Sequence, residues 1–132
     1  GNRYAVLFDK IEQKYMLLEI RSIYDLPTYE SPEPAEEIIM TTSQLSKNCY
    51  YDYILFDDNW DTRYGEEDGE MEIQSAYFLA GRTGWQNGGK IGLQDADGNP
   101  YSIIVNRMSK SIKLYEGDID TFFLEPEVNL TF

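Results

Sequence analysis

The chain has 132 residues, enough for one domain that buries roughly two thirds of its unfolded surface, and its 42% hydrophobic and 27% charged residues exclude a disordered or fibrous chain. A net charge of −13 repels the nucleic-acid backbone, so we expect no nucleic-acid binding and consider a basic protein or a divalent cation the easier partner. The absence of histidine excludes Ser-His and Cys-His catalytic pairs, and the single cysteine, Cys49, excludes an intramolecular disulfide.

Residues 3–20 carry an apolar stripe that is typical of a helix. Its members follow the i, i+3, i+4, i+7 spacing and are Tyr4, Leu7, Phe8, Ile11, Tyr15 and Leu18. No Gly, Pro or Asn lies between Asp9 and Lys14, which argues against a hairpin turn there. The spacing therefore predicts a helix over 3–20. The alternation of Met16, Leu18 and Ile20 leaves a strand over 15–24 as the alternative.

A proline-rich stretch and a second helical signal follow. Residues 25–34 hold Pro27, Pro32 and Pro34 and are predicted to form a long loop. Glu36 and Glu37 come just after the last proline, where acids favour the positive end of a helix dipole. A short second helix is therefore predicted from residue 35.

From Tyr50 onward the apolar period changes from about four to two. Seven short segments alternate in this way and are separated by turn residues: 50–56, 71–79, 90–94, 101–106, 111–115, 119–124 and 128–132. Gly98 can supply the positive φ of a hairpin turn between the third and fourth of them. These segments predict an antiparallel meander.

The predicted fold is a single α+β domain over residues 1–132. One or two N-terminal helices precede an antiparallel β-meander of about six or seven strands and cover its apolar face, where Met71, Ile73, Tyr77 and Leu79 lie. An all-β barrel is the alternative.

The acidic loop, residues 57–68, reads DDNWDTRYGEED and has the spacing of a calcium loop. Asp57, Asn59 and Asp61 alternate, and Asp68 stands at the twelfth position, where oxygen ligands could converge on one cation. Thr62 replaces the glycine that an EF-hand bend requires, so the spacing allows only a looser calcium loop between strands. A solvated acidic loop that binds no metal is the favoured interpretation, because charge runs are usually exposed.

Two tryptophans lie in predicted loops, Trp60 in the acidic loop and Trp85 in RTGWQNGG. They either pack back onto the sheet or form a ligand-binding surface. The segment from Arg82 to Lys113 is basic within an acidic protein, and we interpret it as an intramolecular complement to the acidic loop.

We expect a non-enzymatic binding or interaction module whose acidic loop faces a basic partner or a cation. A calcium-stabilised extracellular domain and a small-ligand carrier barrel are the alternatives, followed by an enzyme that uses paired carboxylates. No apolar run approaches the roughly 20 residues of a membrane-spanning helix. The compartment stays open, although an exported, periplasmic location is favoured if a leader once preceded Gly1, which is typical of a cleaved tag.

Overall fold

A computed structural model describes residues 2–28, 31–64 and 75–120 of the chain. Within these ranges the regular structure is nine strands and two single-turn 3-10 helices, Ile23–Asp25 and Glu36–Ile38. The strands are β1 Arg3–Asp9, β2 Lys14–Ile20, β3 Ile39–Gln44, β4 Tyr50–Phe56, β5 Ser75–Gly81, β6 Gly84–Trp85, β7 Gly89–Gln94, β8 Pro100–Asn106 and β9 Ser111–Glu116.

The strands form two antiparallel sheets that pack face to face. The five-stranded sheet has the order β3-β2-β1-β5-β6, and the four-stranded sheet has the order β4-β7-β8-β9. Alternate residues of β4, β5, β7 and β8 meet between the sheets, because successive side chains of a strand point to opposite faces. This central core contains Tyr51, Ile54, Phe56, Ala76, Phe78, Ile91 and Val105.

The five-stranded sheet is also covered on its second face. Ala5, Leu7 and Leu18 project there and are at most 1% exposed. Ile38 and Leu26, from the segment that joins β2 to β3, close over them. The irregular segment therefore takes the place that a covering helix would have in an α+β domain.

The predicted N-terminal helices are wrong, and the fold is closer to the all-β alternative, with two separate sheets. Residues 3–20 form the β1–β2 hairpin, in which Ala5 pairs with Leu18 and Leu7 with Met16. Both faces of this hairpin are covered, so apolar residues follow each other along β1 and β2 almost without interruption. Such a run satisfies helical spacing as well as strand spacing, which explains the error.

The turn at residues 10–13 is held by side chains instead of by glycine. Gln13 adopts a left-handed conformation with φ 52°. Its side-chain amide donates to the carbonyls of Lys10 and Tyr51 at 2.7 and 2.9 Å, and its Oε1 accepts from the Tyr51 backbone N–H at 2.7 Å. These bonds tie the β1–β2 turn to β4 in the other sheet.

The second predicted helix is reduced to the single turn Glu36–Ile38, and the chain continues as β3. Thr41, Thr42 and Ser43 occupy β3, where β-branched and small polar residues fit a sheet better than a helix.

The prediction of antiparallel strands after Tyr50 is confirmed for the described residues. β4, β7, β8 and β9 fall on the predicted segments, and Gly98 has φ 82° in the β7–β8 turn. Tyr77 and Leu79 share a face with Leu7 and Leu18, but as neighbours in one sheet and not beneath a helix. Met71, Ile73 and the segment predicted at 128–132 lie outside the described residues, as does the segment predicted at 119–124 except for Ile119 and Asp120, which are not in a strand.

Candidate functional site

The acidic loop begins with a buried carboxylate. Asp57 follows β4 directly, and its side chain is only 6% exposed. Its Oδ2 lies 2.6 Å from Nε of Arg107, which follows β8, and its backbone N–H donates to the Gly88 carbonyl at 2.9 Å. Asp57 therefore fixes the end of β4 to the ends of β7 and β8.

The loop then folds back along the edge of β4. The Phe56 N–H donates to the Trp60 carbonyl at 2.8 Å, and the Thr62 N–H donates to the Ile54 carbonyl at 3.0 Å. The Thr62 hydroxyl accepts from the Ile54 N–H at 3.0 Å, so this threonine is 1% exposed. Residues 60–62 thus cap an edge of β4 that would otherwise be open to another strand.

The predicted metal ligands are not brought together around one point by the described residues. Asp61 makes a two-pronged contact with Arg63, at 3.0 Å from Nε to Oδ1 and 2.7 Å from Nη2 to Oδ2. Asn59 occupies a turn position with φ 71°. Asp68 lies outside the described residues, and within them no group of three or more His, Cys, Asp or Glu is arranged to hold a metal ion.

Calcium binding at this loop is not tested by the geometry alone, but the ion pairs of Asp57 and Asp61 argue against it, and we expect no calcium to bind here. A cation shared by Asp57 and Asp61 would have to displace the guanidinium groups of Arg107 and Arg63, which already neutralise these carboxylates. Millimolar calcium should therefore leave the thermal melting temperature unchanged. A calcium-dependent rise in melting temperature that disappears in the Asp57→Asn/Asp61→Asn variant would contradict this expectation.

The two tryptophans are connected through the central core. Trp60 stacks on Phe56 with ring centroids 5.4 Å apart, Phe56 contacts Phe78 at 5.3 Å, and Phe78 meets Trp85 edge-on at 6.3 Å. Trp85 is half-buried, whereas Trp60 keeps an exposed face. Both rings thus pack back onto the sheets, and ligand binding by Trp60 and Trp85 remains a prediction.

A polar cluster that the sequence did not indicate lies on the outer face of the four-stranded sheet. Lys90, in β7, is 6% exposed at its side chain, and its Nζ donates to Asp118 Oδ1 at 2.7 Å and to the Ile119 carbonyl at 3.0 Å. The Tyr53 hydroxyl donates to the same Asp118 oxygen at 2.5 Å. Ser102 donates to the Gly117 carbonyl and accepts from the Ile119 N–H. The chain after β9 is thereby tied across β8, β7 and β4.

The pKa shifts in this cluster are those of a structural ion pair, in which Lys90 and Tyr53 keep their protons and Asp118 stays ionised. Hydrogen bonds from Lys90 and Tyr53 lower the pKa of Asp118. Burial raises the pKa of Tyr53, and its bond to Asp118 raises it further. Burial lowers the pKa of Lys90, but its bonds to Asp118 and Tyr53 outweigh this effect and the net pKa is raised. Lys90 therefore stays an ammonium ion at neutral pH, unlike a lysine that is activated as a nucleophile.

Layered packing holds the Tyr53 ring in this cluster. On one side of the ring lies Gly92 of the paired strand β7, where a Cβ atom would overlap the Tyr53 ring. The Arg63 guanidinium carbon also contacts this ring and lies 3.7 Å from its centroid. Arg63 thus joins the acidic loop, through Asp61, to the outer face of the four-stranded sheet.

Large apolar side chains are exposed at the end of the five-stranded sheet where β2 ends and β3 begins. Ile23 and Tyr24 are 76% and 94% exposed on their 3-10 turn. The turn is fixed by a capping box, in which Asp25 accepts from the Arg21 and Ser22 backbone N–H groups at 2.9 and 3.1 Å. The capping box thus holds the backbone that carries Ile23 and Tyr24 in one conformation.

Exposed carboxylates lie at the same end of the five-stranded sheet as these apolar side chains. Because Leu18 pairs with Ile39, the segments beyond them, residues 21–25 and 31–38, lie at the same end of the sheet. Glu33, Glu36 and Glu37 are exposed there, and Glu19 pairs with Arg21. We call Ile23, Tyr24, Glu33, Glu36 and Glu37 the acid–apolar end.

No family model, no curated protein and no solved structure matches the chain. No helix in the described ranges is long and apolar enough to cross a membrane. Any functional conclusion therefore depends on the surfaces of the molecule itself.

Proposed function

We propose that the protein is a non-enzymatic interaction module that binds a basic partner protein through the acid–apolar end. The observation that carries this proposal is the exposure of Ile23 and Tyr24, 76% and 94%, on a capped turn at the same end of the sheet as three exposed glutamates. Burying such side chains against a partner is favourable, and tyrosine supplies contact area at a low cost in side-chain entropy.

The chemistry of the surface favours a cationic partner. A lysine or arginine of the partner could contact the face of the Tyr24 ring while it pairs with Glu36 or Glu37. Two of the three described carboxylates of the acidic loop suit this role less well, since Asp57 and Asp61 already pair with arginines. The acid–apolar end thus replaces the acidic loop as the proposed contact.

A synthetic peptide of alternating arginine and leucine provides a direct test. We expect it to bind the protein with an affinity that falls as salt is added, because the charges are exposed and screened. Tyr24→Ser and Glu36→Gln/Glu37→Gln should each weaken binding by about three- to tenfold, which corresponds to about 0.7–1.4 kcal/mol. Fluorescence anisotropy of the labelled peptide measures the effect.

A matched control separates a defined site from general charge attraction. Glu12→Gln/Asp97→Asn removes the same two charges from exposed turns elsewhere in the fold and should leave binding almost unchanged. If this control weakens binding as much as Glu36→Gln/Glu37→Gln does, the protein attracts cations without a defined contact surface and the proposal is wrong.

A further inference from the structure

The inner face of β9 is apolar, and no strand among the described residues lies opposite it. β9 is the last strand of its sheet, and Ile112 and Leu114 pair with Val105 and Ile103, which belong to the central core or pack against it. Ile112 and Leu114 therefore project on the same side as the core, yet they are 55% and 66% exposed.

The reason for this exposure is the short edge of the facing sheet. Its last strand, β6, has only the two residues Gly84 and Trp85. Beyond it the edge of β5 is completed by a side chain, since Asn87 accepts from the Leu79 N–H at 2.8 Å and donates to the Tyr77 carbonyl at 3.1 Å. Among the described residues, the five-stranded sheet thus ends before it reaches β9.

Basic side chains border this apolar surface. Lys110 precedes β9 in a left-handed conformation with φ 59°. Its aliphatic carbons pack against Gly84 in β6, about 3.5 Å from the point where a Cβ atom of residue 84 would lie. Arg82 is exposed in the turn between β5 and β6. We call Ile112, Leu114, Lys110 and Arg82 the basic–apolar ledge. Glu116, at the far end of β9, is its nearest carboxylate along the strand.

We propose that the basic–apolar ledge of one copy of this chain binds the acid–apolar end of a second copy. The two surfaces have opposite charge and each exposes two large apolar side chains, Ile23 and Tyr24 on one and Ile112 and Leu114 on the other. They lie at opposite edges of the molecule, one beside β2 and β3 and the other beside β6 and β9, so they meet between copies and not within one. This inference rests on the proposed function and names the basic surface that the acid–apolar end binds as the ledge of a second copy.

The attraction between the two surfaces must exceed the electrostatic repulsion between two chains that each carry a net charge of −13. We therefore expect a reversible contact of modest affinity, in which apolar burial supplies the attraction and the charges select the orientation. The wild-type chain should sediment as a monomer when dilute and as larger species as its concentration approaches the millimolar range.

Two variants that each lose one surface test the contact. Ile23→Ser/Tyr24→Ser removes the apolar side chains of the acid–apolar end, and Ile112→Ser/Leu114→Ser removes those of the ledge. Each variant alone should remain monomeric in sedimentation velocity at every concentration. Mixed in equal amounts they should form a 1:1 complex, because each then supplies the surface that the other lacks. A wild-type chain that stays monomeric, or a mixture in which no complex forms, would overturn the inference.

Charge variants and melting curves complete the test. Lys110→Glu should weaken self-association by about tenfold, whereas Lys47→Glu, the same charge change at the exposed β3–β4 turn, should have little effect. Both serine variants should melt close to the wild type, because their side chains are exposed. A large drop in the melting temperature of Ile112→Ser/Leu114→Ser would mean that the ledge is covered within one chain, and the inference would fail. Binding of the arginine–leucine peptide without self-association would leave the proposed function intact and reject the chain as its own partner.

Discussion

Ala5→Asp should unfold the protein, whereas Ile11→Asp should leave it folded. Ala5 is 0% exposed on the second face of the five-stranded sheet, and Ile11 is 73% exposed in the β1–β2 turn. A carboxylate at residue 5 would be buried without a partner, which costs more than about 4 kcal/mol and consumes most of the stability of a typical domain. At residue 11 the carboxylate stays in water, and the expected change is below about 0.5 kcal/mol.

This pair of variants separates the hairpin from a helix over residues 3–20. On such a helix Ile11 would lie on the buried stripe and Ala5 would not, so the order of the two effects would be reversed. Urea denaturation followed by tryptophan fluorescence measures both free energies of unfolding. Leu18→Asp should unfold the protein under either structure, because Leu18 is fully buried, and it confirms that the assay detects a buried charge.

Asp118→Ala should destabilise the protein more than Lys90→Met, although the two side chains form one ion pair. The Lys90 side chain is 6% exposed and the Asp118 side chain 55%. Removing Asp118 leaves a buried ammonium group with only neutral acceptors, the Ile119 carbonyl and the Tyr53 hydroxyl, and we expect a loss of about 2 kcal/mol. Removing the charge of Lys90 allows Asp118 to be hydrated while methionine fills the space, at a cost below about 1 kcal/mol.

The pH dependence of stability gives a second measurement of the same cluster. The pKa of Asp118 is lowered by folding, so its contribution is present above the unfolded pKa of about 4 and is lost as the pH falls through the folded value. The pKa values of Lys90 and Tyr53 are raised by folding, so their contribution is present below about pH 10 and is lost as the pH rises through the folded values. The free-energy advantage of the wild type over Lys90→Met/Asp118→Asn should therefore be constant near neutral pH and shrink at both extremes. Equal costs for the two single variants, or an advantage that does not change with pH, would contradict the assigned roles.

The partners of Lys90 illustrate what a single sequence cannot provide, namely contacts between residues that lie far apart along the chain. In the sequence, Lys90 belongs to the basic segment that is predicted to complement the acidic loop. Its partners Tyr53 and Asp118 are 37 and 28 residues away along the chain, and they meet it only because β4 pairs with β7 and the chain after β9 crosses back over the sheet. The one available signal is the charge of Lys90 at the start of the predicted strand 90–94, since a charged residue that a sheet buries requires a partner.

The acidic loop shows the same limit. The spacing of Asp57, Asn59 and Asp61 was compatible with a cation site or with a solvated turn, and the side-chain types alone could not separate these possibilities. The structure adds that Arg107 and Arg63 oppose Asp57 and Asp61, and that residues 60–62 return along β4. Neither arginine stands at a distance or spacing from its carboxylate that forms a recognised motif.

By itself, the amino-acid sequence determined the antiparallel strands after Tyr50, the hairpin turn at Gly98 and the excess of negative charge. Each of these depends on neighbouring residues or on composition: the period-two alternation, a glycine that tolerates positive φ, and a count of acids and bases. Tertiary structure alone decided that residues 3–20 form two strands. Their near-continuous apolar run has no preferred period until both faces of the sheet are buried, and the turn between them depends on the bonds of Gln13 to Tyr51 in the opposite sheet.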